Sequence, residues 1–176
     1  MSWLNQLGGM LSQYTGAAAA QAPATVHDDF DQLAEAAPEA AIADGLAAAF
    51  RSDQTPPFGQ MVGRLFGQSN GHQRAGILNM LIRTLGPTVV SQFLARRGAG
   101  GLSDLLGGGQ SSLTPEQAQQ VPPEAVEEMA AQAEHRDPSI IEQLSGFYAQ
   151  HPTLVKTLGG MALAIALSKI ASSQGR

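Results

Sequence analysis

The chain reads as all-α: a multi-helical bundle of short, proline-started helices arranged around an apolar C-terminal helix. Three observations predict it. Apolar residues make up 43% of the 176 positions but aromatic residues only 5%, with 20 glycines and many alanines. That composition suits helices packed closely through small side chains and not the β-branched, aromatic strands of a sandwich. Apolar residues recur at i, i+3, i+4 and i+7 through most of the chain, the period of a helix face. Prolines stand where those patterns start, which is where a helix tolerates them.

The first element has Trp3, Leu4, Leu7, Met10, Leu11 and Tyr14 on one face and no charged residue. Trp3, Leu4, Leu7 and Leu11 are its candidate docking residues. Gly8-Gly9 costs this helix about 1 kcal/mol per glycine relative to alanine, so it is expected to form only when docked. Residues 1–14 are read as this amphipathic helix and residues 15–25, GAAAAQAPAT with its preceding threonine, as a tether. Thr25 is then a helix cap, with Asp28, Asp29 and Asp31 placed to suit the helix dipole. Phe30, Leu33 and Ala34 form the inward face. Pro38 starts the next helix, with Ile42, Leu46, Ala49 and Phe50 inward, and Thr55-Pro56-Pro57 stops it.

In FGQMVGRLFGQ, Phe58, Met61, Val62, Leu65 and Phe66 fill the helical template. Gly59, Gly63 and Gly67 recur every fourth residue beside them. Glycine inside a helix is costly, so a repeated one points to another backbone at close range. Next come Ile77, Leu78, Leu81, Ile82 and Leu85, then Gly86-Pro87, then Val89, Val90, Phe93 and Leu94, with Gly98 as the residue that ends the helix. The pair around Gly86-Pro87 superficially suggests a helix-turn-helix, but TVVSQFLARR offers few polar residues to read bases.

Residues 26–97 form one helical half. Residues 98–112, GAGGLSDLLGGGQSS, read as a glycine-rich linker, and residues 113–176 as the second half. Thr114-Pro115-Glu116-Gln117 opens that half as a capping box. Val126, Met129, Ala130 and Ala133 follow Pro122-Pro123, and Ile140, Ile141, Leu144, Phe147 and Tyr148 follow Asp137-Pro138. After His151-Pro152 comes Thr157–Ser168, apolar on every helical face and bracketed by Lys156 and Lys169. It is shorter than the roughly 20 residues that cross a bilayer. Leu158, Gly160, Met161, Ala164 and Ile165 are its candidate packing or interface residues. The two halves repeat an order of elements loosely enough to suggest an internal duplication.

The net charge of −5 is unevenly spread: −6 over residues 1–50, +5 over 51–97, −7 over 98–151 and +3 over 152–176. Six arginines lie in the second block: Arg51, Arg64, Arg74, Arg83, Arg96 and Arg97. They are a candidate for a phosphate backbone, yet they are widely spaced and lack interleaved aromatics, so nucleic acid is not the expected partner. The alternative is that the blocks pack on one another, within the fold or between copies.

The absence of cysteine excludes disulfides and thiolate chemistry. His27, His72, His135 and His151 have no partner histidine at metal-binding spacing. There is no nucleophile elbow and no phosphate-binding loop. No catalytic residue, cofactor or metal is expected. The first fifty residues hold no lysine or arginine, against a signal or transit peptide, and no apolar run is long enough to span a membrane, which leaves the cytoplasm as the expected location.

WLNQLGGML at 3–11, GGLSDLLGGG at 100–109 and LTPEQAQQV at 113–121 make the chain similar to the YidB-like group of small bacterial helical proteins. The likeness covers about the first fifteen residues and about residues 98–150, outside which His27–Leu85 falls. It implies a helical fold and a bacterial origin and brings no site residue. The expected function is therefore non-enzymatic: interaction or assembly, by self-association or by packing against a partner helix. The alternatives are a peripheral membrane-surface protein using Trp3–Tyr14 and Leu154–Ile170, and nucleic-acid binding through Arg51–Arg97. The basic residues that interfacial helices usually carry are missing from the N-terminal helix.

Overall fold

The computed structural model describes residues 3–14, 24–98, 100–108 and 110–174. Among them are twelve α-helices, short 3-10 turns and no strand, as expected of an all-α chain. In order the helices are α1 Trp3–Leu11, α2 Val26–Ala36, α3 Glu39–Arg51, α4 Phe58–Gln68, α5 Gly71–Leu85, α6 Pro87–Arg96, α7 Gly100–Gly107, α8 Pro115–Ala118, α9 Pro123–Arg136, α10 Ile140–Ala149, α11 Pro152–Val155 and α12 Gly160–Gln174. The expected tether, residues 15–25, lies outside the described residues up to position 23.

The chain divides into two compact units that are not the halves read from the sequence. Unit 1 joins residues 1–56 to residues 145–176, and unit 2 is residues 57–144. One unit is therefore inserted into the other, and the chain passes between them at Pro56-Pro57 and again within α10. The expected boundary at 98–112 falls inside unit 2. The glycine-rich stretch is no open linker either. Leu102 and Leu106 are buried, and α7 packs on α6.

Unit 2 is built on α4 against α9, with α5 packed on both α8 and α9 and α6 on α7 and α9. Its core holds Phe58, Met61, Val62, Leu65 and Phe66 from α4, with Ile77, Leu78 and Leu81 from α5 and Val126, Met129 and Ala130 from α9. Unit 1 is built on α12, which packs on α3 and also meets α2, α1 and the 3-10 turn Ser12–Tyr14.

The helix ends follow the sequence closely in places. Thr114 and Gln117 form the capping box at α8, and Asn70 and Gln73 form a second one at α5. Gly98 follows the end of α6 at φ +82°, a conformation glycine adopts without strain. Thr25 does precede α2, but its hydroxyl donates to Asp29 and caps no backbone N–H. The largest local difference is at the C-terminus. The apolar run is not one helix: α11 passes into a 3-10 turn at Lys156–Leu158, Gly159 sits at φ +99°, and α12 begins at Gly160. The chain bends by 119° between the two arms. No single helix among the described residues is long and apolar enough to cross a membrane.

Candidate interaction surfaces

The glycine ladder of α4 is filled from within unit 2. A methyl group built on Gly59 would lie 2.5 Å from the Glu127 carbonyl oxygen, and one on Gly63 would lie 3.1 Å from that of Pro123. These two glycines let α9 approach at backbone range. Gly67 has no such duty: a methyl there would meet the Pro123 ring at an ordinary 3.7 Å. The matching approach in unit 1 comes from Gly45 of α3, where a methyl would stand 2.7 Å from the Ala166 carbonyl oxygen. Sequence reasoning passed over Gly45, since a single glycine among alanines carries no period.

Of the residues proposed on the last helix, Leu158 is buried in the 3-10 turn and Ala164 is fully buried on α12. Gly160 and Ile165 are half-buried, and Met161 is exposed. Leu163 and Leu167 are fully buried by this chain. What α12 leaves outward is a strip at helical spacing: Met161, Ile165, Lys169 and Ser172. In unit 2 the one large apolar side chain that stands out is Leu105 of α7, 41% exposed.

The N-terminal helix is docked on its own chain. Leu7, Leu11 and Tyr14 are buried, and α1 rests on α12 and α2. Trp3 and Leu4, as side chains, lie outside the described residues. Asn5, Gln6, Gly8 and Gly9 face outward. As folded, Leu7, Leu11 and Tyr14 are covered and not presented to a lipid surface.

Tyr14 and Asp29 are the polar part of this dock. The Tyr14 hydroxyl donates to Asp29 Oδ2, and Thr25 donates to the same oxygen at 3.1 Å. Burial, and then the Asp29 carboxylate, holds the Tyr14 hydroxyl well above the usual tyrosine range. Burial alone does the same to Tyr148 on α10, whose hydroxyl has no hydrogen-bond partner among the described residues; nor does that of Ser145. Tyr148 packs against Phe50 of α3 at 5.9 Å between ring centres.

The charge blocks meet inside the units. Lys156 pairs with Asp31 at 2.8 Å in unit 1, and Arg97 pairs with Glu128 in unit 2. The arginines are partly committed to structure. Arg74 lies over the Phe66 ring and donates through Nε to the Phe66 and Ser69 carbonyls and through Nη2 to Gly67, closing the C-terminus of α4. Arg136 donates to the Leu85 carbonyl at the end of α5 at 3.1 Å. Arg96 covers the Phe93 ring. Arg51 belongs to unit 1 and the other five of the central block to unit 2, so they share no single body. Asn79 of α5 ties down the segment before α8, accepting from Leu113 N–H at 2.8 Å and donating to its carbonyl.

Among the described residues no group of three histidine, aspartate or glutamate side chains could hold a metal ion. His27, His72 and His135 are exposed, and the His151 ring packs tilted against Phe147 at 4.8 Å between ring centres. No family model matches the chain, and neither a curated protein nor a solved structure matches it.

Proposed function

We propose that this is a non-enzymatic, cytoplasmic helical protein that acts by self-association or by packing against a partner helix. Kinship with the bacterial YidB-like group belongs to the same proposal and rests on the sequence motifs at 3–11, 100–109 and 113–121. One observation carries the functional part: the outward strip of α12. Met161 and Ile165 stand one turn apart, with Lys169 one turn further, on a helix whose other large apolar side chains, Leu163, Leu167 and Ile170, are buried. Accessible apolar groups at i and i+4, here an exposed Met161 and a half-buried Ile165, are the anchors a partner helix uses.

Sedimentation of the full chain over a range of concentrations tests the reading. Concentration-dependent association is expected, weakened about tenfold or more by Met161→Glu, an exposed position where a charge leaves the core intact. A monomer up to high micromolar concentration would remove self-association, and wild-type association unchanged by Met161→Glu would remove the α12 strip as its site.

A further inference from the structure

We propose that α1 and the following 3-10 turn form a latch: a local unit that undocks from α12 and α2 while the rest of unit 1 stays folded. The first support is the helix itself. α1 has nine residues, below the length at which an isolated helix holds together in water. It also carries Gly8 and Gly9 on its outward side, where a methyl group on either would meet nothing within 4 Å. At Gly59 and Gly45 glycine is required by a backbone at close range. At Gly8 and Gly9 it is required by nothing in the fold, and it only lowers the stability of the docked helix.

The second support is the way the dock is made. Among the described side chains of this segment, Leu7, Leu11 and Tyr14 are buried, and the Tyr14 hydroxyl joins it to Asp29. No charged residue of α1 adds an ion pair, because α1 has none. A nine-residue, charge-free helix whose two glycines pack on nothing sits at the low end of local stability, where opening without global unfolding occurs. Opening would release Leu7, Leu11 and Tyr14 together and uncover the apolar surface of α12 and α2 beneath them. The latch does not depend on the role proposed for the outer strip of α12.

Hydrogen exchange on the full chain tests it, with two variants that act in opposite directions. Amides of 3–14 should exchange far faster than those of α3 and α12. Tyr14→Phe removes the donor to a buried carboxylate and should speed exchange in 3–14 about tenfold, leaving α3 unchanged. The double variant Gly8→Ala with Gly9→Ala should slow it about twenty-five-fold, roughly fivefold for each glycine. Exchange of 3–14 at the rate of α3, or no response to the alanine pair, would overturn the latch. Sedimentation of the same variants separates the two ideas. If exchange responds and no form of the protein associates, the latch stands and the self-association reading falls. If the protein associates while 3–14 exchanges in step with α3, the latch falls alone.

Discussion

Each unit is held by one pair of helices brought together through glycine, α3 with α12 in unit 1 and α4 with α9 in unit 2. They differ in what is done with polar groups. Unit 2 uses arginine at its helix ends: Arg74 closes α4 and Arg136 closes α5, each with its charged head directed to carbonyls and its stem free to cover apolar surface. Unit 1 instead buries hydroxyls and a carboxylate. Tyr14 meets Asp29, while Tyr148 and Ser145 find no partner among the described residues. A buried polar atom left without a partner costs about 1–3 kcal/mol. The contrast puts the protonation-sensitive tyrosines and the docking of α1 in unit 1 and none of them in unit 2.

The largest effect that tests this contrast comes from the glycines. Gly59→Ala and Gly45→Ala each drive a methyl group against a backbone carbonyl, so each is expected to cost about 3 kcal/mol, the upper part of the overpacking range. In urea unfolding followed by hydrogen exchange, Gly59→Ala should weaken α4 and α9, and Gly45→Ala should weaken α3 and α12. Loss of both units from either variant would erase the distinction between them.

Alkali should come next, and should act on unit 1. Both tyrosines of the chain lie in that unit, and both are held neutral above the usual range. A raised folded-state pKa means that the stabilisation is complete below about pH 10, where tyrosine ionises in the unfolded chain, and is lost as pH rises further. The loss is about 1.4 kcal/mol per pH unit for each tyrosine. Tyrosinate absorbance should therefore appear together with faster exchange in α3 and α12, while α4 and α9 remain protected. Tyrosinate formed near pH 10 with unit 1 still protected would contradict the burial of these groups.

The smallest effects are gains. Tyr148→Phe removes an unpartnered hydroxyl and should stabilise unit 1 by about 1 kcal/mol. Gly67→Ala has room beside Pro123 and should stabilise unit 2 by a similar amount, about 1 kcal/mol, through helix propensity. Thermal denaturation measures both. A loss of stability at Gly67→Ala would mean that all three glycines of α4 serve close packing, and the contrast with Gly59 would vanish.

Much of the local structure was legible because it is local. The faces of α4 and α5 follow from period alone, and the buried Phe58, Met61, Val62, Leu65 and Phe66 are the residues that period selects. The Thr114 capping box and the glycine after α6 follow from the chemistry of helix ends. The misread places were those where one residue's conformation or a distant contact decides. Gly159-Gly160 sits inside an apolar run that reads as continuous helix, and only the positive φ at Gly159 shows the break. GGLSDLLG reads as a linker because glycine dominates it, yet Leu102 and Leu106 find a surface on which to fold.

The candidate surfaces divide the same way. The ladder at Gly59, Gly63 and Gly67 was visible as a repeat, but which of the three is needed depends on where α9 runs. The charge blocks were visible as a tally, but Lys156 with Asp31 and Arg97 with Glu128 show that blocks far apart in the chain meet within single units. By itself the sequence determined that the chain is helical, where most helices start and stop, and which faces turn inward, since those depend on neighbours within a few residues. The tertiary structure decided that unit 2 is inserted into unit 1, that α1 docks on α12 and α2, and that little more than Met161 and Ile165 of the apolar last helix stays within reach of a partner. Those outcomes depend on contacts between residues up to about 160 positions apart, which no local pattern records.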